Sequence, residues 1–187
     1  MKTRFLVVAA IIGILALVIS ACATSPTQAN FRLLVSDQPN VIGDFEHLNC
    51  TISEIGVHPV GDNSTWIQFS PNVSTVDLTT LEGNNATEIW SGNITPGQYD
   101  KVFIYISNVE GTLAAGVGNG TANVKLPSGK LQISKPFTVS ANGTTSFVFD
   151  IAVIKAGESG QYILEPQIAT SGVNQGFTEV KPTQNPG

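Results

Sequence analysis

An all-β fold, built as an antiparallel two-sheet β-sandwich, is what this sequence predicts, and three observations predict it. From residue 30 onward the apolar residues come in short runs or in alternation, and no stretch keeps a helical period for three turns. Turn formers punctuate those runs, with 18 Gly and 10 Pro along 187 residues. Thr is as frequent as Gly, whereas Leu and Met are sparse after the N-terminus, a bias toward residues that suit a pleated surface. A small closed barrel is the alternative architecture.

The first element is an address rather than part of the fold. Lys2 and Arg4 give a positive start, and residues 5–19 form an apolar run too short for a bilayer span of roughly 20 residues. Ile19-Ser20-Ala21-Cys22 resembles the bacterial lipobox, in which the Cys thiol receives a diacylglycerol and the leader is cut just before it. Residues 1–21 therefore read as a lipoprotein signal peptide and Cys22 as the lipidation site, with an ordinary leader as the weaker reading. Two or three acyl chains anchor a protein stably where one does not. Residues 22–29 are small and polar, a flexible tether ahead of a domain at 30–170. Residues 171–187, with three Gly and two Pro, read as a disordered tail.

Within the domain, strands are expected at 31–36, 47–57, 65–69, 74–78, 87–91, 99–108, 121–126, 130–133, 137–139, 144–151 and 161–168. In 47–57 the apolar beat moves from Leu48, Cys50 and Ile52 to Ile55 and Val57, which predicts a bulge near Ser53 and Glu54. In 99–108, Val102, Ile104 and Ile106 share one face and Tyr99, Lys101, Phe103 and Tyr105 the other, the mark of a central strand. Pro96-Gly97 and Pro127-Ser128-Gly129 read as hairpin joints, and Pro166 belongs at an edge or a bulge. Residues 76–83 hint at one helical turn that Asp77 caps and Gly83 stops. The run GTLAAGVGNG at 111–120 reads as a flexible hairpin loop, because it lacks the strand-to-helix context of a phosphate site.

Charge narrows the function. Only 12% of residues are charged, about half the usual share of roughly 25%, and the net charge is −5. An electrostatic grip on nucleic acid is excluded. With Cys22 lipidated, Cys50 has no disulfide partner and reads as a buried small hydrophobe.

Seven Asn residues open an Asn-x-Ser/Thr triplet: Asn49, Asn63, Asn72, Asn85, Asn93, Asn119 and Asn142. That is nearly ~3-fold more than composition alone would place, and it fits either a glycosylated surface protein or turn-rich β chemistry that generates such triplets by itself. His47 and His58 lack the companions of a zinc set, and no metal site is expected. Asp37, Asp44, Glu46, Glu54 and Asp62 could form a loop calcium site, with solvated surface carboxylates as the stronger reading. No cofactor is expected, and no nucleophile elbow or zinc-protease pair supports catalysis. Trp66, Trp90 and Tyr99, if outward, could stack on sugar rings, although packing is the commoner use of such residues.

Several segments together resemble the prokaryotic domain-of-unknown-function family numbered 4382, found in secreted and lipid-anchored proteins. They are LLVSDQP at 33–39, LNCTISEIGVH at 48–58, VDL at 76–78, ITPGQYDKV at 94–102, KPFTV at 135–139 and YILEPQI at 162–168. Cys50 stands where the family more often has Val. The resemblance spans about 31–168 and implies a sandwich of immunoglobulin-like or transthyretin-like style, with no established activity and no catalytic residues to carry over. The expectation is a non-catalytic binding, adhesion or structural module, lipid-anchored on the extracytoplasmic side of the cell membrane, with an envelope protein or glycan as partner. A carbohydrate or small-ligand receptor using Trp66 and Trp90 as its platform is the alternative, and a surface hydrolase with an unrecognised site, which loss of hydrolysis in His58→Ala would favour, is the third reading.

Overall fold

The computed structural model describes residues 28–157 and 159–182, so the signal segment, Cys22 and most of the tether lie outside the described residues. Twelve strands form two six-stranded sheets. The first sheet runs β12 (Thr178–Glu179), β5 (Asn85–Gly92), β1 (Phe31–Asp37), β10 (Thr145–Ala156), β11 (Gln161–Pro166) and β8 (Val124–Lys125). The second runs β3 (Ile67–Phe69), β2 (Phe45–Pro59), β6 (Gly97–Leu113) and β7 (Thr121–Ala122), with β4 (Thr75–Asp77) also on β2 and β9 (Lys130–Val139) also on β6. The second sheet is antiparallel throughout. The first is mixed, which corrects the expectation of a purely antiparallel sandwich: β1 runs parallel to β10, β11 to β8, and β12 to β5. Alternation along a strand fixes its faces but not the direction of its neighbour, so this pairing left no mark in the pattern.

The core lies between the sheets. Phe31, Leu33 and Val35 of β1 and Phe147, Phe149, Ile151 and Val153 of β10 meet Leu48, Cys50, Ile52, Ile55 and Val57 of β2 and Val102, Ile104 and Ile106 of β6. The β2–β6 ladder shifts register at Thr51/Ile52 and again at Ile52/Glu54, where the bulge was expected. Cys50 is fully buried, and that burial pushes its thiol pKa up, away from reactivity.

Three local expectations change. Pro96-Gly97 and the 127–129 turn are not hairpin joints, because β5 and β6, like β8 and β9, lie in different sheets; both turns carry the chain across the sandwich. The expected strands at 130–133 and 137–139 are one strand, β9, with Pro136 on its outer edge beside a bulge. At that bulge Tyr99 pairs with Phe137 but Lys101 with Ser134, and the shift turns Tyr99 inward, to 2% exposure. Its ring stacks on Phe137 at 5.3 Å and its hydroxyl donates to Thr95 O at 2.7 Å.

The sequence predicts a disordered tail at 171–187, but from Ser171 to Val180 the chain is tied to the first sheet. Ser171 is fully buried; its Oγ accepts from Asp150 N at 2.8 Å and donates to Gln167 O at 2.6 Å. Gly172 and Val148 exchange both backbone bonds, and β12 adds to β5. Lys135 Nζ donates to the carbonyls of Ile168, Ala169 and Ser171. Polar side chains do this work where the sequence offers little apolar content, so no hydrophobic pattern announced it.

Asp37 ends the inward row of β1. It is fully buried, and neither carboxyl oxygen has a hydrogen-bond partner among the described residues. Burial, then the charges of Asp150 and Glu82, push its pKa up to about 8. The folded chain thus keeps a proton that the unfolded chain releases near its ordinary value of 3.8, and stability falls as pH rises from about 4 to about 8. Asp37→Asn should flatten that slope and raise the melting temperature most at pH 8–9. Thermal melts across pH would test this, and an unchanged slope would contradict it.

Candidate functional site

The solvent face of the second sheet carries the chemistry. Along β2, His47, Asn49 and Thr51 point away from the core because Leu48, Cys50 and Ile52 point into it. Asn49 lies between Asp77 of β4 and Glu110 of β6, and Thr51 lies between Thr75 and Asn108. With the loop at Asn72 and Pro182 as walls, His47, Asn49, Thr51, Thr75, Asp77 and Glu110 line an open groove of about 660 Å³.

One carboxylate organises its floor. Asp77 caps the short 3-10 turn Leu78–Leu81, as expected, with Oδ1 accepting from Thr79 N at 3.1 Å, Thr79 Oγ1 at 2.7 Å and Leu48 N at 3.1 Å. Its Oδ2 lies 2.7 Å from His47 Nδ1. Burial works to raise the Asp77 pKa, but the bonds from His47, Thr79 and Leu48 outweigh it and hold the carboxyl below its ordinary range. The same bond raises the pKa of the exposed His47. On the opposite wall Glu110 accepts from Asn108 Nδ2 at 2.8 Å. Hydroxyls, amides, an imidazole and two carboxylates are therefore presented together on a rigid sheet.

A second polar cluster lies at the other end of β2. His58 Nδ1 is 2.8 Å from Asp100 Oδ1, and His58 Nε2 is 3.2 Å from Ser64 Oγ. Beside it Trp66 packs edge-on to Phe103 at 4.7 Å and lies 5.1 Å from the His58 ring. Phe103 lies flat because its neighbour across the ladder is Gly56, where a Cβ would collide with the ring. Lys130 Nζ sits 4.4 Å from the Trp66 ring and 4.3 Å from that of Phe103, a pair of cation–π contacts.

The sugar platform does not form. Trp90 is 8% exposed and packs in the core against Phe31 and Phe69, and Tyr99 is buried, although alternation along 99–108 puts it on the outward face. Trp66 is half-buried with Lys130 across its ring. Of the triplet residues, Asn63, Asn72, Asn93, Asn119 and Asn142 are exposed, while Asn49 and Asn85 are half-buried. Among the described residues, the side chains of Asn72 and Asn93 hydrogen-bond through Oδ1, accepting from Ser91 N and Asn30 N. The five carboxylates considered for calcium are not brought together. Asp37 is in the core, Asp44 accepts from Tyr162 and Lys155, Glu54 accepts from Gln68, and Glu46 and Asp62 are exposed. No group of three His, Cys, Asp or Glu able to hold a metal occurs among the described residues.

Sequence reasoning missed Glu110, Asn108, Ser64 and Asp100, which reach their partners only through β2–β6 pairing and the loop after β2. Asp77 was legible as a cap but not as the partner of His47. Asp77→Ala should cost about 0.5–2 kcal/mol through the lost cap, and denaturant unfolding would measure it. In the same variant the His47 pKa, followed by NMR, should fall back toward its ordinary value.

Neither curated proteins nor solved structures give a match to this chain. A family model does: the domain of unknown function DUF4382 matches residues 28–166, the span that holds both sheets apart from β12. By that match the chain belongs to the DUF4382 family.

Proposed function

We propose that this chain is a lipid-anchored, extracytoplasmic β-sandwich that serves as a binding, adhesion or structural module of the cell envelope. The observation that carries the binding reading is the groove on the second sheet, where His47, Asn49, Thr51, Asp77 and Glu110 converge on one open surface. Concave surfaces lined by a few oriented polar groups are where ligands are held. The anchor rests on Ile19-Ser20-Ala21-Cys22, with cleavage leaving a mature chain of charge −7. Among the described residues no helix is long and apolar enough to cross a membrane.

A glycan is the second reading of the ligand, favoured by a lining of amides, hydroxyls and carboxylates, the groups that hydrogen-bond to sugar hydroxyls. It replaces the Trp66 and Trp90 platform as the place where a sugar would lie. Asn49 and Asn72 both line the groove, so a glycan attached at either would fill the space that a ligand needs.

Mass spectrometry of the mature N-terminus is expected to find acylated Cys22 with residues 1–21 removed. An intact Met1 beside an unmodified Cys22 overturns the anchor. For the groove, the full mature chain should bind isolated envelope fragments saturably. Asn49→Ala combined with Glu110→Ala should weaken that binding about tenfold, the worth of one or two hydrogen bonds. Equal binding by both forms would remove the groove as the site, and prior digestion of the fragments with glycosidase or protease tells a glycan from a protein partner.

A further inference from the structure

We infer that Ser64 is a nucleophile served by His58 as general base and Asp100 as positioning residue, and that this cluster transfers acyl groups from small esters with good leaving groups. The inference is independent of the groove, since seven residues of extended β2 place His58 roughly 20 Å beyond Thr51.

Three separate segments build the cluster. His58 stands near the end of β2, Asp100 sits at the bulge of β6, and Ser64 belongs to the loop between β2 and β3. An ionised carboxylate only accepts, so the 2.8 Å contact with Asp100 Oδ1 puts the ring proton on Nδ1 and leaves Nε2 with a lone pair. That lone pair lies 3.2 Å from Ser64 Oγ, within reach for proton transfer. A nucleophile, a base within hydrogen-bond reach and a third group orienting the base are the arrangement by which activated serines are recognised, whatever the fold. The ionised state of Asp100 is supported from two sides. Burial works to raise its pKa, but the bond from His58 and the charge of Lys101, whose Nζ is 3.6 Å from Oδ2, outweigh it. Trp66 backs the imidazole and limits its rotation.

The loop is also held in place. Val60 N donates to Gln98 O at 2.9 Å and Ser64 N to Gly61 O at 3.2 Å. Ser64 Oγ is 2.8 Å from Gly61 O as well, so the hydroxyl proton has two acceptors and passes between them by rotation about the Cβ–Oγ bond. In the reaction Oγ attacks the carbonyl carbon of the ester while its proton moves to His58 Nε2. The tetrahedral intermediate collapses with cleavage of the bond to the leaving alcohol, which takes that proton. Water, deprotonated by His58, then releases the carboxylic acid and restores the serine. The Ser64 amide is spent on Gly61 O, so it does not stabilise the oxyanion. A missing donor of that kind costs about 100–1,000-fold, which restricts the chemistry to activated esters.

The test uses the full mature chain, a fluorophosphonate probe at pH 8 and peptide mapping by mass spectrometry. One adduct is expected, on Ser64, absent in Ser64→Ala, with labelling slowed about 100-fold in His58→Gln. Asp100→Asn should both slow labelling and displace its pH profile, which a purely structural role would not do. p-Nitrophenyl acetate should leave an acetyl group on the same serine. Absence of a Ser64 adduct on protein that melts cooperatively overturns the inference. So does labelling at the wild-type rate in His58→Gln of unchanged melting temperature. Should His58→Gln fail to fold, His58→Asn and the pH profile of Asp100→Asn decide the matter in its place.

Discussion

The pairing of β2 with β6 is the constraint on which the rest of the molecule depends. β2 has to keep one face in the core over its whole length, and a strand of fifteen residues with regular pleating would twist out of contact before its end. The irregularities between Thr51 and Glu54 reset it. Leu48, Cys50 and Ile52 are inward before them, and Ile55 and Val57 are inward after. The outward positions follow without further freedom. His47, Asn49 and Thr51 become one wall of the groove, Gly56 leaves room for Phe103, and His58 is delivered to Asp100 and Ser64. A one-residue slip in this ladder would exchange core and surface along the entire strand.

The first sheet solves a different problem. Its outer face includes Ser36, Ala86, Val148 and Asp150, all buried. Cover comes from the C-terminal segment, clasped through Ser171 and Thr170 to Asp150 and through Lys135 to three carbonyls. Asp150 accepts from Ser36 and from Thr170, so its charge is compensated by directed donors. Asp37, one residue along β1 from Ser36, has no such donors and faces the interior instead. Two acids close together in the chain fold thus meet opposite electrostatic surroundings, set only by which way the pleat points.

The all-β class, two sheets, the β2 bulge, the cap at Asp77 and the inward placement of Cys50 were legible, because each follows from periodicity or from a turn residue with a local cause. The mixed pairing of β1 with β10 was not, since a fully buried strand reads the same whichever way its neighbour runs. Alternation puts Tyr99 on the wrong face because a single bulge reverses the beat, and the bulge opposite Lys135 and Pro136 leaves no apolar signature. The groove was half legible. His47 and Asn49 could be placed outward, whereas Glu110 and Asp77 join them only once strands 28 and more residues apart in sequence are paired. Ser64 and Asp100 were invisible for the same reason.

The proposed lipid anchor at Cys22 would load the domain from its N-terminal end. The chain enters the domain at Phe31, directly into a strand flanked by β10 on one side and β5 on the other, and Thr144 and Thr145 grip the carbonyls of Ala29 and Asn30 just ahead of it. Tension applied from that end acts along the strand axis. Every rung of both ladders then bears load at once, in shear, instead of being peeled open one after another. A body hung by its leading end would resist pulling at the point where the pull arrives.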